Sequence, residues 1–556
     1  MRLPSSLTPL RHTTFLTLWS ANLVSSLGTW MQNTGAGWLM TTLQPDALTV
    51  SLVQAATILP IFLLALPSGA LADIVDRRRF MIGTQMIQLV AAACLATLTY
   101  AGATTAAGLL LFTFAIGVGN AMNGPPWGAV VTEVVPRGDL AQAIALNGVG
   151  FNIARAIGPA IAGFVLLAGG PSLTFLLNAL SFLAVVAVLV AWRRVRVHSS
   201  APREHLLSAM RAGLRYVRNT PAVRAANLRI VAYYLPTAGP WAMLPLVVKQ
   251  QLGLGPAWFG TLLALMGIGG VASGLLLPVL HGRISRGDIV FGSSLVTCLG
   301  MGLVGLARHW PLAGLGMLLY GLGWVAASSV TQAAAQLAAP SWVRARALAI
   351  YQLFSNGSLF VGSFFWGWLG TRIGLPETFG IAAAVGVVLA LGVWRRGLDW
   401  IAPVAVHRTP LPTPEAPAPE LVPMLARARG RVLETVSYRV SAADRGRFLA
   451  LMVQVRLVRG RSGAVLWQLY EDVAHPEGWL EIWSMENWTD HLREPDRLSE
   501  EDRAVLGRAL AFAAEAEPQV SRYIAVDTPR VRASRNATRF TAFGRGLQQE
   551  RAVHGR

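Results

Sequence analysis

Long apolar stretches dominate the first 400 residues and constrain the fold more than any other feature. A helix needs about 20 consecutive, mostly apolar residues to cross the hydrocarbon core of a bilayer. Twelve stretches qualify, at residues 14–38, 50–72, 80–101, 107–132, 141–168, 172–192, 226–248, 257–280, 288–307, 311–336, 345–370 and 376–395. The sequence therefore predicts an all-α membrane protein with twelve transmembrane helices, followed by a separate C-terminal domain.

The composition supports a lipid bilayer as the main partner. Only 13% of the residues are charged and 53% are hydrophobic, whereas soluble proteins carry about 25% charged residues. The net charge of +19 would by itself suggest nucleic-acid binding. However, the arginines are spread through short loops and a tail, without an accompanying basic helix or aromatic platform. We therefore expect no nucleic-acid partner.

The distribution of basic residues predicts the orientation of the helices, because short loops rich in arginine stay in the cytoplasm. One set of loops contains Arg77, Arg78, Arg79, Arg137, Arg193, Arg194, Arg196, Arg203, Arg211, Arg215, Arg218, Arg224, Arg283, Arg286, Arg344 and Arg346. The opposite set contains only Lys249, Arg308 and Arg372. The sequence predicts a multi-pass protein of the inner (cytoplasmic) membrane with both termini in the cytoplasm.

The apolar part of the chain repeats itself at a distance of 204 residues. This shift pairs Gly117 with Gly321, Gly119 with Gly323, Asn152 with Asn356, Gly158 with Gly362 and Gly163 with Gly367. A common period of this kind is typical of transporters built from two parallel repeats. We expect two six-helix halves, residues 1–192 and 226–400, joined by a cytoplasmic linker at 193–225. Its segment "LLSAMRAGLRYVRNT" is either an amphipathic helix on the inner leaflet or a solvated tether.

The loop "SGALADIVDRRRF", residues 68–80, contains one acid and then a block of cations. It resembles the loop between the second and third helices of major facilitator superfamily transporters, although Asp76 stands at a usual glycine. The "ADxxDRRR" pattern is similar to the branch of transmembrane secretion effectors and enterobactin exporters. The resemblance implies a cytoplasmic gate in which Gly69 permits close packing, Asp73 faces the start of the eleventh helix, and Arg77 binds an acid or a carbonyl. Arg78 is either part of this gate or a topology anchor.

A second pattern, "ARAIGPAIAG" at residues 154–163, resembles an element that is common in exporters of the superfamily. Gly158 and Gly163 would let helices pack closely, and Pro159 would bend the helix. Arg155 lies about 20 Å from the start of this span at 1.5 Å per residue. A charge at that depth is costly and must face the protein interior. Arg155 is therefore either a structural hydrogen-bond hub or a contact for an anionic substrate.

Polar and aromatic residues recur at helical spacing on the four spans that line the central path in this superfamily. Such residues suit a small amphipathic substrate with rings, although ordinary interhelical hydrogen bonding would produce a similar pattern. The candidate cavity residues are Asn22, Ser26, Thr29 and Asn33 on the first span, Asn120, Asn123 and Trp127 on the fourth, Tyr234 and Trp241 on the seventh, and Tyr320 and Trp324 on the tenth.

The sequence assigns no residue to the coupling of transport to an energy source. The resemblance implies a proton as coupling ion, but no acid lies clearly in the middle of a span. The sequence lacks the glycine-rich loop with lysine that binds ATP phosphates, and we find no metal-ligand spacing. We therefore expect a secondary transporter without cofactor, metal or catalytic residues.

The composition changes after Arg396. A proline-rich linker covers residues 401–425, soluble sequence follows at 426–527, and a basic, disordered tail is expected at 528–556. The order of predicted strands and helices in the soluble segment is ferredoxin-like α+β. Ser441 is expected to cap the first of its helices, and a capping box of Ser499 and Asp502 is expected to begin the second. It resembles the dimeric α/β barrel of antibiotic-biosynthesis monooxygenases, so a second copy of the chain is a candidate partner.

Together these features predict an exporter of a small amphipathic metabolite, siderophore or drug-like, that works by alternating access. The alternative is a membrane-tethered protein whose C-terminal domain carries cofactorless monooxygenase chemistry. The sequence does not identify the cargo.

Overall fold

The computed structural model describes residues 5–192, 206–340, 342–395, 417–420, 425, 430–513 and 520–525. The chain divides into two compact units, residues 1–404 and 405–556. The first unit is helical, and the second contains a four-stranded sheet. Most of the predicted linker at 401–425 and the whole predicted tail at 528–556 lie outside the described residues.

Twelve helices of the first unit lie within the described ranges. They are α1 (Thr13–Leu43), α2 (Ala47–Ile74), α3 (Arg77–Tyr100), α4 (Ala106–Val134), α5 (Leu140–Ala191), α6 (Leu206–Asn219), α7 (Pro221–Leu246), α8 (Pro256–His281), α9 (Arg286–Leu306), α10 (Trp310–Leu337), α11 (Arg344–Ile373) and α12 (Leu375–Trp394). Ten helices in the described part of the chain are long and apolar enough to cross a membrane. The short α6 is not one of them, and neither is the more polar α1.

Helix α5 contains both the fifth and the sixth predicted spans. Its 52 residues would extend about 78 Å if straight, more than twice the thickness of a bilayer core. The helix is interrupted at Gly169 and Gly170, where Gly170 has a φ of +67° that favours glycine. Pro171 then begins the second segment. The chain therefore turns between residues 168 and 171, where the sequence predicts a loop.

Glycines of the 204-residue repeat occupy equivalent packing positions within the two halves. In the first half, a Cβ atom on Gly117 in α4 would lie 2.9 Å from the Pro60 ring in α2. In the second half, a Cβ atom on Gly321 in α10 would collide with the carbonyl oxygen of Met266 in α8. Helix α4 thus packs on α2 as α10 packs on α8.

The same correspondence holds for contacts between the halves. A Cβ atom on Gly163 in α5 would lie 3.2 Å from the Cα atom of Gly260 in α8. A Cβ atom on Gly367 in α11 would lie 3.0 Å from the carbonyl oxygen of Ala47 in α2. Small residues at these points allow the backbones of the two halves to approach closely.

Helix α6 lies within the predicted linker and packs against the second half. Tyr216 and Val217 are buried in a cluster with Val343 and Ala347, and the Tyr216 hydroxyl donates to the Ala338 carbonyl at 2.6 Å. The segment is therefore not a solvated tether, because one of its faces is part of the helical core. The seventh helix also begins earlier than expected, at Pro221 instead of residue 226.

The described residues 430–513 and 520–525 of the second unit form one antiparallel sheet and three helices. Its elements are β1 (Val432–Arg439), α13 (Arg445–Ser462), β2 (Leu466–Glu471), β3 (Gly478–Met485), α14 (Trp488–Arg497), α15 (Glu500–Leu510) and β4 (Ser521–Ile524), and the strand order is β2-β3-β1-β4. The capping box predicted at Ser499 and Asp502 is confirmed. The prediction that Ser441 caps α13 is wrong, because that helix begins at Arg445 after Asp444. Helix α14 was not predicted.

A buried ionic network lies between the sheet and the helices, beside an apolar core that includes Phe448 and Trp483. The Arg459 guanidinium donates to Glu481 Oε1 at 3.1 Å and to Glu494 Oε1 at 3.2 Å, and lies 3.5 Å from the centre of the Trp483 ring. The Tyr438 hydroxyl donates to Glu481 Oε2 at 2.6 Å. Burial alone would lower the pKa of Arg459, but the carboxylates of Glu481 and Glu494 raise it. Burial, and then Glu481, raise the pKa of Tyr438.

Candidate functional site

The two ends of the helical unit each contain characteristic basic residues, after which we call them the Arg77 end and the Lys249 end. The Arg77 end is where α2 and α4 end and α3 begins, and the Lys249 end is where α1 and α7 end. Lys249 lies just after α7, in the π-helical turn Val247–Gln251. The candidate substrate residues lie between these ends.

The arginines at the Arg77 end bind groups in neighbouring helices. Arg77 Nη1 lies 2.6 Å from Glu133 Oε1 near the end of α4. Arg78 donates to the carbonyl oxygens of Leu189 and Val190 at 2.7 and 2.5 Å, in the last turn of α5. A cation there is favoured by the helix dipole. Asp76, at the position of the usual glycine, is the N-cap of α3 and accepts from the Arg79 amide at 3.1 Å.

Gly69 and Asp73 lie in the last turns of α2, but the surroundings of residues 69–74 lie outside what the structure describes. The path of the helix still constrains them. Helix α2 runs antiparallel to α11, since Ala47 lies beside Gly370 and Phe62 beside Gly357. The end of α2 is therefore directed toward the beginning of α11, where the resemblance implies a partner for Asp73.

Arg155 lies at mid-depth in α5 and points toward the second half. Its Nη2 atom would be 3.9 Å from a Cβ atom on Gly270 in α8, and Tyr234 in α7 is close enough to interact electrostatically with the guanidinium. Its hydrogen-bond partner in the described structure is the Asn152 side chain, at 3.1 Å. Asn152 is neutral, so the charge is not matched by an acid.

The residues after Arg155 pack the helix against both halves. A Cβ atom on Gly158 would lie 2.7 Å from the Trp30 Cβ atom in α1. Pro159 is buried, and its carbonyl oxygen would be 2.7 Å from a Cβ atom on Gly260. With Gly163 also in contact with α8, this segment is a close-packed junction between the halves.

Four of the predicted cavity residues belong to one aromatic cluster. The Trp324 ring is 4.8 Å from Tyr234, 5.7 Å from Trp241 and 5.6 Å from Tyr320, measured between ring centroids. Trp30 in the first half is 6.1 Å from Trp241 in the second. The cluster therefore crosses the junction between the halves. Tyr320 is fully buried, and its hydroxyl donates to the Thr237 carbonyl at 2.7 Å. Its ring is therefore fixed where it stacks on the Trp324 ring.

The polar residues predicted on α1 share one face. Asn22, Ser26, Thr29 and Asn33 are all half-buried. The Thr29 hydroxyl donates to the Ser25 carbonyl at 2.9 Å within the helix, which reduces its capacity to bind a substrate.

The predicted residues on α4 are in different environments. Asn120 is exposed, whereas Asn123 is buried and its Oδ1 atom has no hydrogen-bond partner in the described structure. Trp127 packs with apolar residues of α1 and α4 around Leu18 and Val130. Trp127 therefore contributes to packing, and Asn120 and Asn123 remain the polar candidates predicted on α4.

Sequence reasoning missed several residues that join helices distant in the chain. Trp30 is one of them, although it adjoins the polar stripe of α1. Gln32 in α1 accepts a hydrogen bond of 2.5 Å from Asn178 in the second segment of α5, and both are buried. Glutamine and asparagine inside apolar spans are a usable signal, because each needs a partner in a membrane.

Lys249, the only lysine of the sequence, connects the two halves at the Lys249 end. Its Nζ atom donates to the Thr41 carbonyl at 2.9 Å and to the Thr42 hydroxyl at 3.2 Å. The neighbouring Gln250 donates to the Pro45 carbonyl at 2.8 Å. These contacts join the end of α1 to the end of α7 across the two halves, and we call them the Lys249 latch.

Replacing Lys249 with methionine is expected to favour opening of the Lys249 end by about 10- to 150-fold, since a charged hydrogen bond contributes about 1.5–3 kcal/mol. Spin labels would be placed at Gln44 and Gly255 in a protein lacking Cys94 and Cys298. Double electron–electron resonance would report the opening as a longer distance between the two labels. Lys249→Arg is the control and should keep the short distance. An unchanged distribution in the methionine variant would contradict the latch.

Three buried side chains of the second unit are close enough to be considered as metal ligands. The ligand atoms of Glu434, His491 and Glu494 lie within 4.8 Å of one another. However, His491 Nδ1 is 2.7 Å from Glu434 Oε1, and Arg522 contacts His491 Nε2 at 3.1 Å. Since arginine only donates, Nε2 accepts and Nδ1 carries the hydrogen. A metal on Nδ1 would move that hydrogen to Nε2, against Arg522, so the group fits an ionic network better than a metal site.

Comparison with protein families and curated proteins indicates the relatives of this chain. The model of the transmembrane secretion effector family matches residues 4–530. The staphyloferrin A transporter of Staphylococcus aureus is 25% identical over 293 residues, which are 52% of this chain and 72% of that protein. The multidrug efflux pump Tap of Mycobacterium tuberculosis is 25% identical over 393 residues, 68% of this chain and 91% of that protein. The enterobactin exporter EntS of Escherichia coli is 26% identical over 201 residues, 36% of this chain and 47% of that protein.

Solved transporter structures share the fold. A bacterial homolog of the human lysosomal transporter Spinster, in an inward-facing and unoccupied conformation, superposes with a TM-score of 0.58 at 13% identity and covers 73% of this chain and 100% of that one. The nucleoside transporter NupG superposes with a TM-score of 0.55 at 14% identity, covering 68% of this chain and 98% of that one. At such low identities these similarities concern the fold alone.

Proposed function

The chain belongs to the transmembrane secretion effector family of the major facilitator superfamily, and from this premise we propose that it exports a small amphipathic molecule across the cytoplasmic membrane. Family membership makes it a transporter rather than an enzyme. The observation that carries the proposal is the position of Arg155 and the aromatic cluster, at mid-depth and between the two halves. A site at the junction of two repeats can be exposed to either side when the halves rock.

The proposed topology has twelve spans. Helix α1 and the two segments of α5 would cross the membrane together with the other long helices, and both termini would lie in the cytoplasm. The arginine-rich loops support this orientation. The Arg77 end is then cytoplasmic and the Lys249 end faces outward. The closed Lys249 end would correspond to an inward-facing state.

The proposed gate at the cytoplasmic side consists of Gly69, Asp73, Arg77 and Arg78. The pair between Arg77 and Glu133 and the bonds from Arg78 to the end of α5 would hold three helices of the first half as one body. Asp73 would release or engage the start of α11 as the halves move. In the Asp73→Asn variant, cysteines introduced along the central path should become more accessible to a labelling reagent added from the cytoplasmic side. Unchanged accessibility with normal transport would leave Asp73 as a simple anchor.

The proposed cargo is siderophore-like or drug-like. Tryptophan and tyrosine rings from α7 and α10 would stack on the apolar part of the cargo, the asparagines of α1 and α4 would bind its polar groups, and Arg155 would bind an anionic group. Relatives named as a staphyloferrin A transporter, an enterobactin exporter and a multidrug efflux pump support this class. Proton coupling, which the resemblance implies, stays a prediction without an assigned residue.

The alternative function, oxidation by the C-terminal domain, has less support. The strand order and the helices on one face agree with the proposed ferredoxin-like fold. An oxidising domain needs a pocket for its substrate. Between the sheet and the helices, the described structure instead holds Trp483, Arg459 and the carboxylates that Arg459 binds. We therefore propose an assembly role for this domain.

The face of the sheet opposite to Trp483 supports dimerisation. Residues directly opposite each other on paired strands share a face, so Leu433, Leu466, Tyr470, Leu480, Ile482 and Tyr523 lie together on the side away from Trp483. Leu466, Tyr470 and Tyr523 are 40%, 47% and 57% exposed. An apolar patch of this kind is typical of an interface, and we propose a second copy of the chain as its partner.

Replacing both Leu480 and Ile482 with glutamate is expected to weaken this dimer at least about 100-fold, because the charges would be buried against an apolar surface. Light scattering of the full chain in detergent would show a monomer. Val453→Glu, at a 63% exposed position on α13, is the matched control and should leave the oligomer unchanged. A dimer that survives the double substitution would exclude this face.

Deletion of residues 409–556 tests the function itself. Vesicles containing the truncated protein should retain substrate-dependent transport at a rate within about threefold of the full chain, since Arg155 and the aromatic cluster belong to the first unit. Metabolite profiling of a strain lacking the gene would identify the cargo as a compound retained in the cells. A protein that oxidises a compound but transports nothing, and loses that activity with the deletion, would support the alternative.

A further inference from the structure

The ionisable residues of the helical unit are arranged very unevenly with depth. The acids between residues 13 and 395 are Asp46, Asp73, Asp76, Glu133, Asp139, Glu204, Asp288 and Glu377, and the histidines are His198, His205, His281 and His309. Those that lie in the described structure are outside helices or within three residues of a helix end. Among them no carboxylate or imidazole is placed to bind a proton at mid-depth.

Arg155 is the exception among the charged side chains. Arg229 also lies inside a helix, but it donates to the Gly287 and Trp394 carbonyls at 3.1 and 2.7 Å, near the ends of α9 and α12. Arg155 is the sixteenth residue of α5. Its neighbours Asn152, Gly270 and Tyr234 are uncharged residues. The resting site therefore carries one uncompensated positive charge.

From this arrangement we propose that transport is electrogenic, with the membrane potential driving an anionic, ring-bearing cargo outward through its pairing with Arg155. The inference rests on the proposed export function. In the loaded protein the cargo anion neutralises the guanidinium, so the loaded site moves between the two openings with little net charge. The empty site returns with its positive charge toward the cytoplasm, which is the negative side.

The complete cycle then moves one negative charge outward for each singly charged cargo. It requires no counter-ion and would replace the proton coupling that the resemblance implies. The potential contributes about 2.3 kcal/mol per charge per 100 mV. This corresponds to an equilibrium gradient of about 50-fold for a monovalent anion at 100 mV. An exporter of anions therefore gains a driving force from the potential without any membrane-embedded acid.

The test uses the full chain in sealed lipid vesicles with naphthalene-2-sulfonate as the probe, because its sulfonate stays charged and crosses lipid poorly. A potassium gradient with valinomycin sets the potential, and a buffer difference sets a pH gradient at zero potential. The probe should accumulate on the positive side, approaching about 50-fold at 100 mV. The pH gradient alone should produce no accumulation. Vesicles without protein should show no accumulation, and vesicles with Arg155→Met should approach the potential-driven gradient at least about 10-fold more slowly than the wild type.

The outcomes separate the inference from the proposed function. Accumulation driven by the pH gradient and not by the potential would overturn the inference and leave the exporter intact. Transport of the cation ethidium without transport of the sulfonate would also overturn the inference, while the proposed export function would stand. If neither probe moves under either gradient, while the protein is folded in the vesicles, the export function fails together with the inference.

Discussion

Arg155→Met is expected to reduce transport by about 10- to 150-fold while the protein stays folded. That factor corresponds to the loss of a charged hydrogen bond of about 1.5–3 kcal/mol to the cargo. A charge at the centre of a helix costs about 2.5–3.5 kcal/mol or more in a membrane, and the described partner of Arg155 is a neutral amide. Removing the charge should therefore leave thermal stability unchanged or increase it.

Two further variants refine this expectation. Arg155→Lys retains the charge but loses the planar fork of the guanidinium, so we expect folded protein with weakened transport. Asn152→Ala removes the hydrogen-bond partner but not the charge, and it should transport within about threefold of the wild type. Vesicle transport and thermal unfolding in detergent are the measurements. If Arg155→Met unfolds the protein, Arg155 is a structural hub and the proposed contact with the cargo is wrong.

Arg459→Met is expected to destabilise the second unit by about 3–5 kcal/mol, the cost of removing one partner from a buried ion pair. Glu481 and Glu494 would then remain buried without their cation, and Trp483 would lose the guanidinium that covers its ring. A domain of this size is stable by only about 5–15 kcal/mol. Much of its stability would therefore be lost.

Hydrogen exchange of the full chain provides the measurement, because peptides from residues 430–513 report the second unit separately from the helices. The amides of β1 and β3 should exchange faster in the variant by two orders of magnitude or more, the factor that about 3 kcal/mol implies. Arg445→Met is the matched control, since Arg445 pairs with Glu471 at a surface where both are more than 30% exposed. Exposed pairs contribute about 0–1 kcal/mol, so this variant should exchange nearly like the wild type.

Much of the architecture could be predicted because its causes are local in the chain. The lengths of the apolar stretches require helices that cross a bilayer, and ten described helices are long and apolar enough to do so. The pattern around Asp73 and Arg77 indicated the superfamily, which the family match confirms. Ser499 and Asp502 act over three residues, and their capping box forms as predicted. In each case the energy depends on neighbours in sequence, so the sequence alone determines the result.

The tertiary structure decided which distant residues meet. Nothing in the sequence relates Lys249 to Thr41, Trp30 to Trp241, or Glu434 to His491, because these contacts depend on how helices cross and strands pair. The same is true of Arg459, whose surface-like arginine-rich helix gave no sign that its guanidinium would be buried among carboxylates. The sequence determined the elements and their membrane setting, since burial in lipid depends on composition and length. Packing determined the Lys249 latch, the aromatic cluster and the ionic network, since the energies of these interactions depend on distances that only the folded chain sets.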